Sequence, residues 1–387
     1  MSTIAIVNGV IHAPGQAPAH GTLLVEGDTI RAVGPPGDVT APAGARVVDA
    51  AGMAVAPGLI DLHIHGLLGH DSMGPGLADV IRALPAYGVT AFTATTITLP
   101  HDEILAGLDA MAVVLRKPPR GARCVGIHLE GPFLSPEWAG MATRDWFEPL
   151  RWERFAEYQH AADGAIRLVT LAPECGDALR AIPRLLAGGV VPVVGHSNAT
   201  YEQVVEAMRV GLCHATHTFN AMRPLHHRQP GVVGAVLALD EITAQVVADG
   251  VHVHPAVIKI LLRAKGPERV VLVSDAAPLA GMPEGEYEWE HKIITVRDGS
   301  CRLADGTIAG AHALLDTGVR TLVERVGLSL TDALAPATSN PARVLGLRQG
   351  CLSPGCLADL VLLDEHNRPA VTFVGGVVVY DRDSRYL

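Results

Sequence analysis

The stretch "APGLIDLHIHG", Ala56 to Gly66, decides how the rest of the chain is read. Its middle alternates Ile60, Leu62 and Ile64 with Asp61, His63 and His65. Successive residues of a strand point to opposite faces, so this spacing predicts a strand with three polar groups on one side. Buried polar groups need partners that offset their lost hydration. Seven more apolar, strand-like runs follow residues 58–65, at 89–96, 124–130, 166–172, 190–196, 212–217, 244–252 and 269–275. Segments with apolar residues at three- and four-residue spacing separate most of them, such as "EILAGLDAMAVVL" (103–115), "YEQVVEAMRV" (201–210) and "HPAVIKILLRA" (254–264). Eight near-continuous apolar strands alternating with helices match an α/β fold with a parallel sheet closed into a (β/α)8, TIM-type barrel. A doubly wound open sheet is the alternative.

Both ends of the chain read differently. The first 55 residues and the last 38 are short strands punctuated by Gly, Pro and Asp. They predict a small β-sandwich domain built from residues 1–56 and 350–387, flanking a catalytic barrel over 57–349. The chain has 387 residues, 49% of them hydrophobic, enough for one large domain and a small companion. Thirty Lys and Arg stand against 40 Asp and Glu, a formal net charge of −10. That balance argues against broad electrostatic binding of nucleic acid. None of the six cysteines forms a CxxC pair. With no signal-peptide pattern and no long uncharged apolar run, the expectation is a cytoplasmic protein with free, mostly buried thiols.

The barrel reading places the polar residues. Active sites of such barrels lie at the C-terminal ends of the strands. His63 and His65 end the first strand, Glu130 the third, His196 the fifth and His217 the sixth. Asp249 and His252 end the seventh and Asp275 the eighth. Imidazoles and carboxylates converging on one mouth suit zinc or iron. His63, His65, Glu130, His196, His217 and Asp275 are therefore candidate metal ligands for one or two divalent transition-metal ions. Glu130 is placed to bridge a pair. Asp61 is read as a structural group rather than a ligand.

The runs "PGLIDLHIHG", "HLEGPFLSPE", "VGHSNAT", "THTFNAM", "PLHHRQPGVVGA", "ADGVHVHP" and "LVSDA" resemble the amidohydrolase superfamily. More narrowly they resemble its N-acetylglucosamine-6-phosphate deacetylase family, over essentially the whole length. The resemblance implies a metal-dependent hydrolase that removes acetate from an amino-sugar phosphate, commonly as a homodimer. It implies Glu130, His196 and His217 as ligands of the main metal, and His63 and His65 as completing a second site that shares Glu130. It implies Asp275 as the catalytic base and acid, serving a metal-bound hydroxide that attacks the acetamide. Asn220, the backbone of Ala221, Arg228 and His252 match the groups that hold the phosphate, some of them in a neighbouring subunit.

The pattern breaks after "EGPFLSPE". The family continues with a Lys-Gly-Ala-His type of sequence, whereas this chain reads "WAGMATRDW", with Ala142 at the place of the histidine. His101, His128, His226, His227 and Arg144 are candidate substitutes for the missing contact, and Trp138 and Met141 candidate walls. The break leaves other substrates open: a different N-acyl sugar such as N-acetylgalactosamine 6-phosphate, or a deaminase or cyclic amidase reaction. An inactive sugar-phosphate-binding paralogue is the reading of another class. The presence of Asp275 argues against it.

Overall fold

The structure, a computed structural model, describes residues 3–386. Eight parallel strands follow one another around a sheet in chain order: Leu59–Ile64, Val89–Thr95, Arg123–Glu130, Ile166–Leu171, Val191–Val194, His214–Ala215, Thr243–Val247 and Val270–Val273. Strictly sequential order excludes the doubly wound alternative, whose strand order reverses. The first and eighth strands are joined at their mouth ends. Asp275 N donates to His63 O at 2.9 Å, and His65 N to Ala276 O at 2.9 Å. Helices such as His101–Arg116, Tyr201–Arg209 and Pro255–Lys265 cover the sheet. Their apolar faces join one large core that includes Leu108, Val204 and Leu261.

The sixth and seventh strands fall furthest short of their sequence patterns. After Val247 the chain turns, because the Asp249 carboxylate accepts the N–H groups of Val251 and His252 at 2.9 Å each. That local pairing competes with the sheet ladder. Around the sixth strand only His214–Ala215 pair with neighbours.

The first strand departs from simple alternation. Its register against the second strand slips between Asp61 and Ile64, three residues facing the two from Phe92 to Ala94. Ile60 and Leu62 pack with Leu168, Val193, Val271 and Val273, whereas Ile64 packs in the large core with Leu77 and Val80. The oily side expected for Ile60, Leu62 and Ile64 is thus split by a bulge. Asp61 serves this bulge: one carboxylate oxygen accepts from the backbone N–H of His63 and of Ser274, each at 3.2 Å.

A second sheet of eight strands draws on both ends of the chain, from Thr3–Ile11 to Ala54–Pro57 and from Leu360–Leu363 to Val377–Asp381. Its own core holds Ile6, Leu23, Val25, Leu362 and Phe373. A four-stranded antiparallel sheet over residues 285–311 follows the last barrel strand and was not anticipated from sequence. Cys351 and Cys356 form a disulfide across the Leu-Ser-Pro-Gly turn, which brings their Cα atoms to 6.2 Å, so not all thiols are free. Cys213 is free but exposed. No helix among the described residues is long and apolar enough to cross a membrane.

Candidate metal centre

All six candidate ligands meet at the barrel mouth, in two groups of three: His63, His65 and Asp275, and Glu130, His196 and His217. In the second group Glu130 Oε1 lies 2.9 Å from His217 Nε2 and 3.4 Å from His196 Nε2, and the two Nε2 atoms are 3.2 Å apart. In the first, His63 and His65 Nε2 are 3.2 Å apart and stand 3.4 and 3.3 Å from Asp275 Oδ1. Glu130 connects the groups, its Oε2 lying 3.1 Å from His63 Nε2 and 3.3 Å from His65 Nε2. Donors about 2.0–2.1 Å from a tetrahedral ion lie roughly 3.3 Å from one another. These separations match.

The protons are arranged for the same purpose. Thr216 Oγ1 donates its single proton to Gln245 Oε1 at 2.9 Å, so it accepts from His63 Nδ1 at 2.8 Å. Gln245 Nε2 in turn lies 3.0 Å from His214 Nε2. His63 therefore carries its proton on Nδ1 and turns a lone pair on Nε2 toward the centre. His196 does likewise, donating from Nδ1 to Trp138 O at 2.8 Å. A hydrogen bond on the far nitrogen of a ligating histidine fixes its tautomer and ring orientation. The residues present fit a metal.

The local field is negative. Burial opposes charge on His65, but Asp275 and Glu130 outweigh it and lift its pKa to about 10. Burial likewise opposes ionisation of Glu130, yet His63, His196 and His217 hold it well below the usual carboxylate range. Asp275 is held low in the same way, against burial, by His63, His65 and His217. Burial alone pushes His214 down to about 3, keeping it neutral. Asp61, fully buried, is pushed up to about 6 despite its bonds from Ser274 and His63. His196 and Asp275 sit at φ 45° and 52°, in the left-handed region that non-glycine residues avoid. Strained backbone of this kind collects at functional sites.

A cavity of about 390 Å³ opens over the centre. Asn220, Ala221 and His252 line it, as do Ile97, Met141 and Trp289. Asp249 lies behind His252, its carboxylate 2.7 Å from Nδ1. Burial opposes a proton on His252, but Asp249 and Asp275 raise its pKa, which suits an anionic ligand. Arg228 is not part of this cavity. Its loop turns back through paired backbone bonds between His226 and Gln229, and its guanidinium rests on His227 at the surface. A single chain therefore does not bring Arg228 to the phosphate-holding set.

Ala142 lines the cavity where the family histidine was expected. Of the five candidate substitutes only Arg144 also lines it. His101 is occupied by Tyr158 and Arg154. His128 is buried between Leu62 O and Thr170 Oγ1, and His226 and His227 are exposed. Sequence reasoning missed Trp289 and Glu290, which the four-stranded sheet presents to the cavity. Burial pushes Glu290 up to about 8 against the pull of His65, and its Oε1 has no partner. The signal for that sheet was Asp298-Gly299, a two-residue hairpin turn between alternating strands, with both residues at positive φ.

The amidohydrolase family model matches residues 54–379. N-acetylglucosamine-6-phosphate deacetylase of Bacillus subtilis (strain 168) is 36% identical over 332 residues, covering 84% of each chain. N-acetylgalactosamine-6-phosphate deacetylase of Escherichia coli O157:H7 is 36% identical over 315 residues, 80% of this chain and 83% of that protein. The crystal structure of N-acetylglucosamine-6-phosphate deacetylase from Pasteurella multocida superposes with a TM-score of 0.90 at 30% identity, covering 97% of this chain and 99% of that one.

Proposed function

The chain belongs to the amidohydrolase family, among the N-acetylglucosamine-6-phosphate deacetylases, and from that premise we propose that it hydrolyses the acetamide of N-acetylglucosamine 6-phosphate to glucosamine 6-phosphate and acetate. The observation that carries the reading is the double group of ligands, with the tautomers of His63 and His196 preset, beneath a cavity lined by Asp275 and His252. Zinc is the proposed metal, since imidazole and carboxylate donors at these separations suit it. Bound there, a divalent metal supplies Lewis acidity and lowers the pKa of its water.

The chain's own residues do the rest. Glu130, His196 and His217 would hold one ion, and His63, His65 and Asp275 would hold a second. Asp275 stands ionised, ready to take the proton of the attacking water and return it to the departing amine, which leaves badly unless protonated. Asn220, the Ala221 backbone and a protonated His252 are proposed to anchor the phosphate, so that remote binding energy orients the amide. Arg228 is proposed to serve the cavity of a second subunit in a homodimer. A cytoplasmic site of action goes with a phosphorylated substrate that does not cross membranes unaided.

N-acetylgalactosamine 6-phosphate is the second reading, favoured by the equal identity of that deacetylase and by Ala142 at the altered wall. Acetate release measured on both sugars, with and without the 6-phosphate, separates the two. Asp275→Asn is expected to abolish turnover while the ion at Glu130, His196 and His217 is retained. Equal turnover by Asp275→Asn would refute the assigned role.

A further inference from the structure

We infer that Asn198 and Trp138 are positioning residues for His196, so that the segment walling the substrate cavity also governs how tightly the main metal is held. The inference rests on the metal reading of the site.

Three contacts tie His196 to the segment after Glu130. Ser135 N donates to His196 O at 2.8 Å, and His196 Nδ1 donates to Trp138 O at 2.8 Å. Gly140, at φ +60°, lies against the ring: a Cβ there would stand 3.2 Å from His196 Cε1. The ring is thus held along one edge by a carbonyl and a glycine, and Nε2 is left for the metal. His196 itself occupies the left-handed region, a conformation that persists only under outside constraint.

A backbone carbonyl is only as fixed as the chain that carries it. The turn Pro136–Trp138 is three residues long and has no side-chain cap. Its anchor is the Trp138 indole, whose Nε1 donates to Asn198 Oδ1 at 3.1 Å. Asn198 also donates from Nδ2 to the Glu137 carboxylate, gripping the turn at two consecutive residues. Asn198 is itself seated by Glu174, which accepts from Asn198 N at 2.6 Å and from Ser197 Oγ at 2.7 Å. The network therefore runs from Glu174 through Asn198 and Trp138 to Nδ1 of the ligand. The same segment faces the cavity through Trp138, Met141 and Ala142. It is also where the chain departs from the family sequence, so a change in the wall reaches the ligand directly.

The test is zinc release from the loaded full-length enzyme to excess chelator. Loss of a group that orients a metal ligand typically weakens binding about 10–100-fold. Trp138→Phe, which keeps an aromatic ring and drops the N–H donor, and Asn198→Ala are each expected to speed release of one ion by roughly that factor. The ion at His63, His65 and Asp275 should keep its wild-type rate. Because the two residues act as one unit, the double variant should release zinc little faster than either single. With cobalt in place of zinc, Trp138→Phe is expected to shift the ligand-field absorption, which a merely structural change elsewhere would leave alone. Should Asn198→Ala fail to fold, Trp138→Phe carries the test. Wild-type protein that takes up no zinc sinks the metal reading itself. Normal loading with release from Trp138→Phe within about twofold of wild type, or additive effects in the double variant, overturns the positioning role alone.

Discussion

Thr216→Val isolates the chain of bonds behind His63. The replacement removes one hydroxyl and little volume. It deprives two buried groups of their partner at once: the Nδ1–H of His63 and the Oε1 of Gln245, both on residues with no exposed surface. Leaving a buried polar group unsatisfied costs about 1–3 kcal/mol, so the two together predict a loss of roughly 2–6 kcal/mol before any relaxation. The second effect is chemical. Without an acceptor at Nδ1 the imidazole is free to carry its proton on Nε2, where the lone pair is needed. Affinity for the ion at His63, His65 and Asp275 should fall about 10–100-fold, with the ion at Glu130, His196 and His217 affected less. Urea unfolding reads the first effect and chelator titration with elemental analysis the second. Thr216→Ser, which keeps the hydroxyl, should restore most of both. Wild-type midpoints for both ions in Thr216→Val would refute the argument, whatever the activity.

His214 gives a pH dependence whose sign is fixed. Burial holds its folded pKa near 3 against 6.5 for the free side chain, so its contribution is whole above pH 6.5 and is lost as pH falls toward 3. Between pH 7 and pH 5 the loss is about 2 kcal/mol, and the non-titrating His214→Gln should flatten urea-derived stability by that amount over the interval; an unchanged slope counts against the assignment. Arg144→Ala is expected to raise KM about tenfold, roughly 1.4 kcal/mol, with kcat little altered, if Arg144 meets the substrate from the wall it lines. An unchanged KM would remove it from the binding set. Arg228→Ala should raise KM for the phosphorylated sugar and leave that for the unphosphorylated sugar unaltered; equal KM values for wild type and variant would dissociate Arg228 from the phosphate.

Much of this was readable before the structure, for a physical reason. Barrel strands are buried on both faces, so runs such as 166–171 and 270–273 stand out as apolar blocks, and a polar residue at such a block's end is conspicuous. His196, His217 and Asp275 were found in that way. What was not legible depended on backbone detail. A one-residue bulge changes which neighbours Ile60 and Ile64 meet without changing composition, so Asp61's task as its hydrogen-bond acceptor was invisible. Trp289 ends a short half-exposed strand and Glu290 sits in the turn after it, where weak alternation was overshadowed by the barrel pattern. Arg228 was placed with the site by motif alone, and a motif does not say which way a surface loop turns.

The joint between the first and last barrel strands carries a consequence for how the molecule is assembled. His63 and Asp275 meet there, and Ser274 Oγ reaches His63 O across 211 residues of chain. Contacts that span so much sequence come late in folding, because the entropy of closing the loop must be lost before they give anything back. The cylinder is therefore clasped at the very residues that would grip the second ion. An ion held there would brace the joint through side chains, adding to the backbone bonds that close it. Chelation is then expected to lower the urea midpoint as well as the rate, since an ion that binds only the closed ring stabilises it.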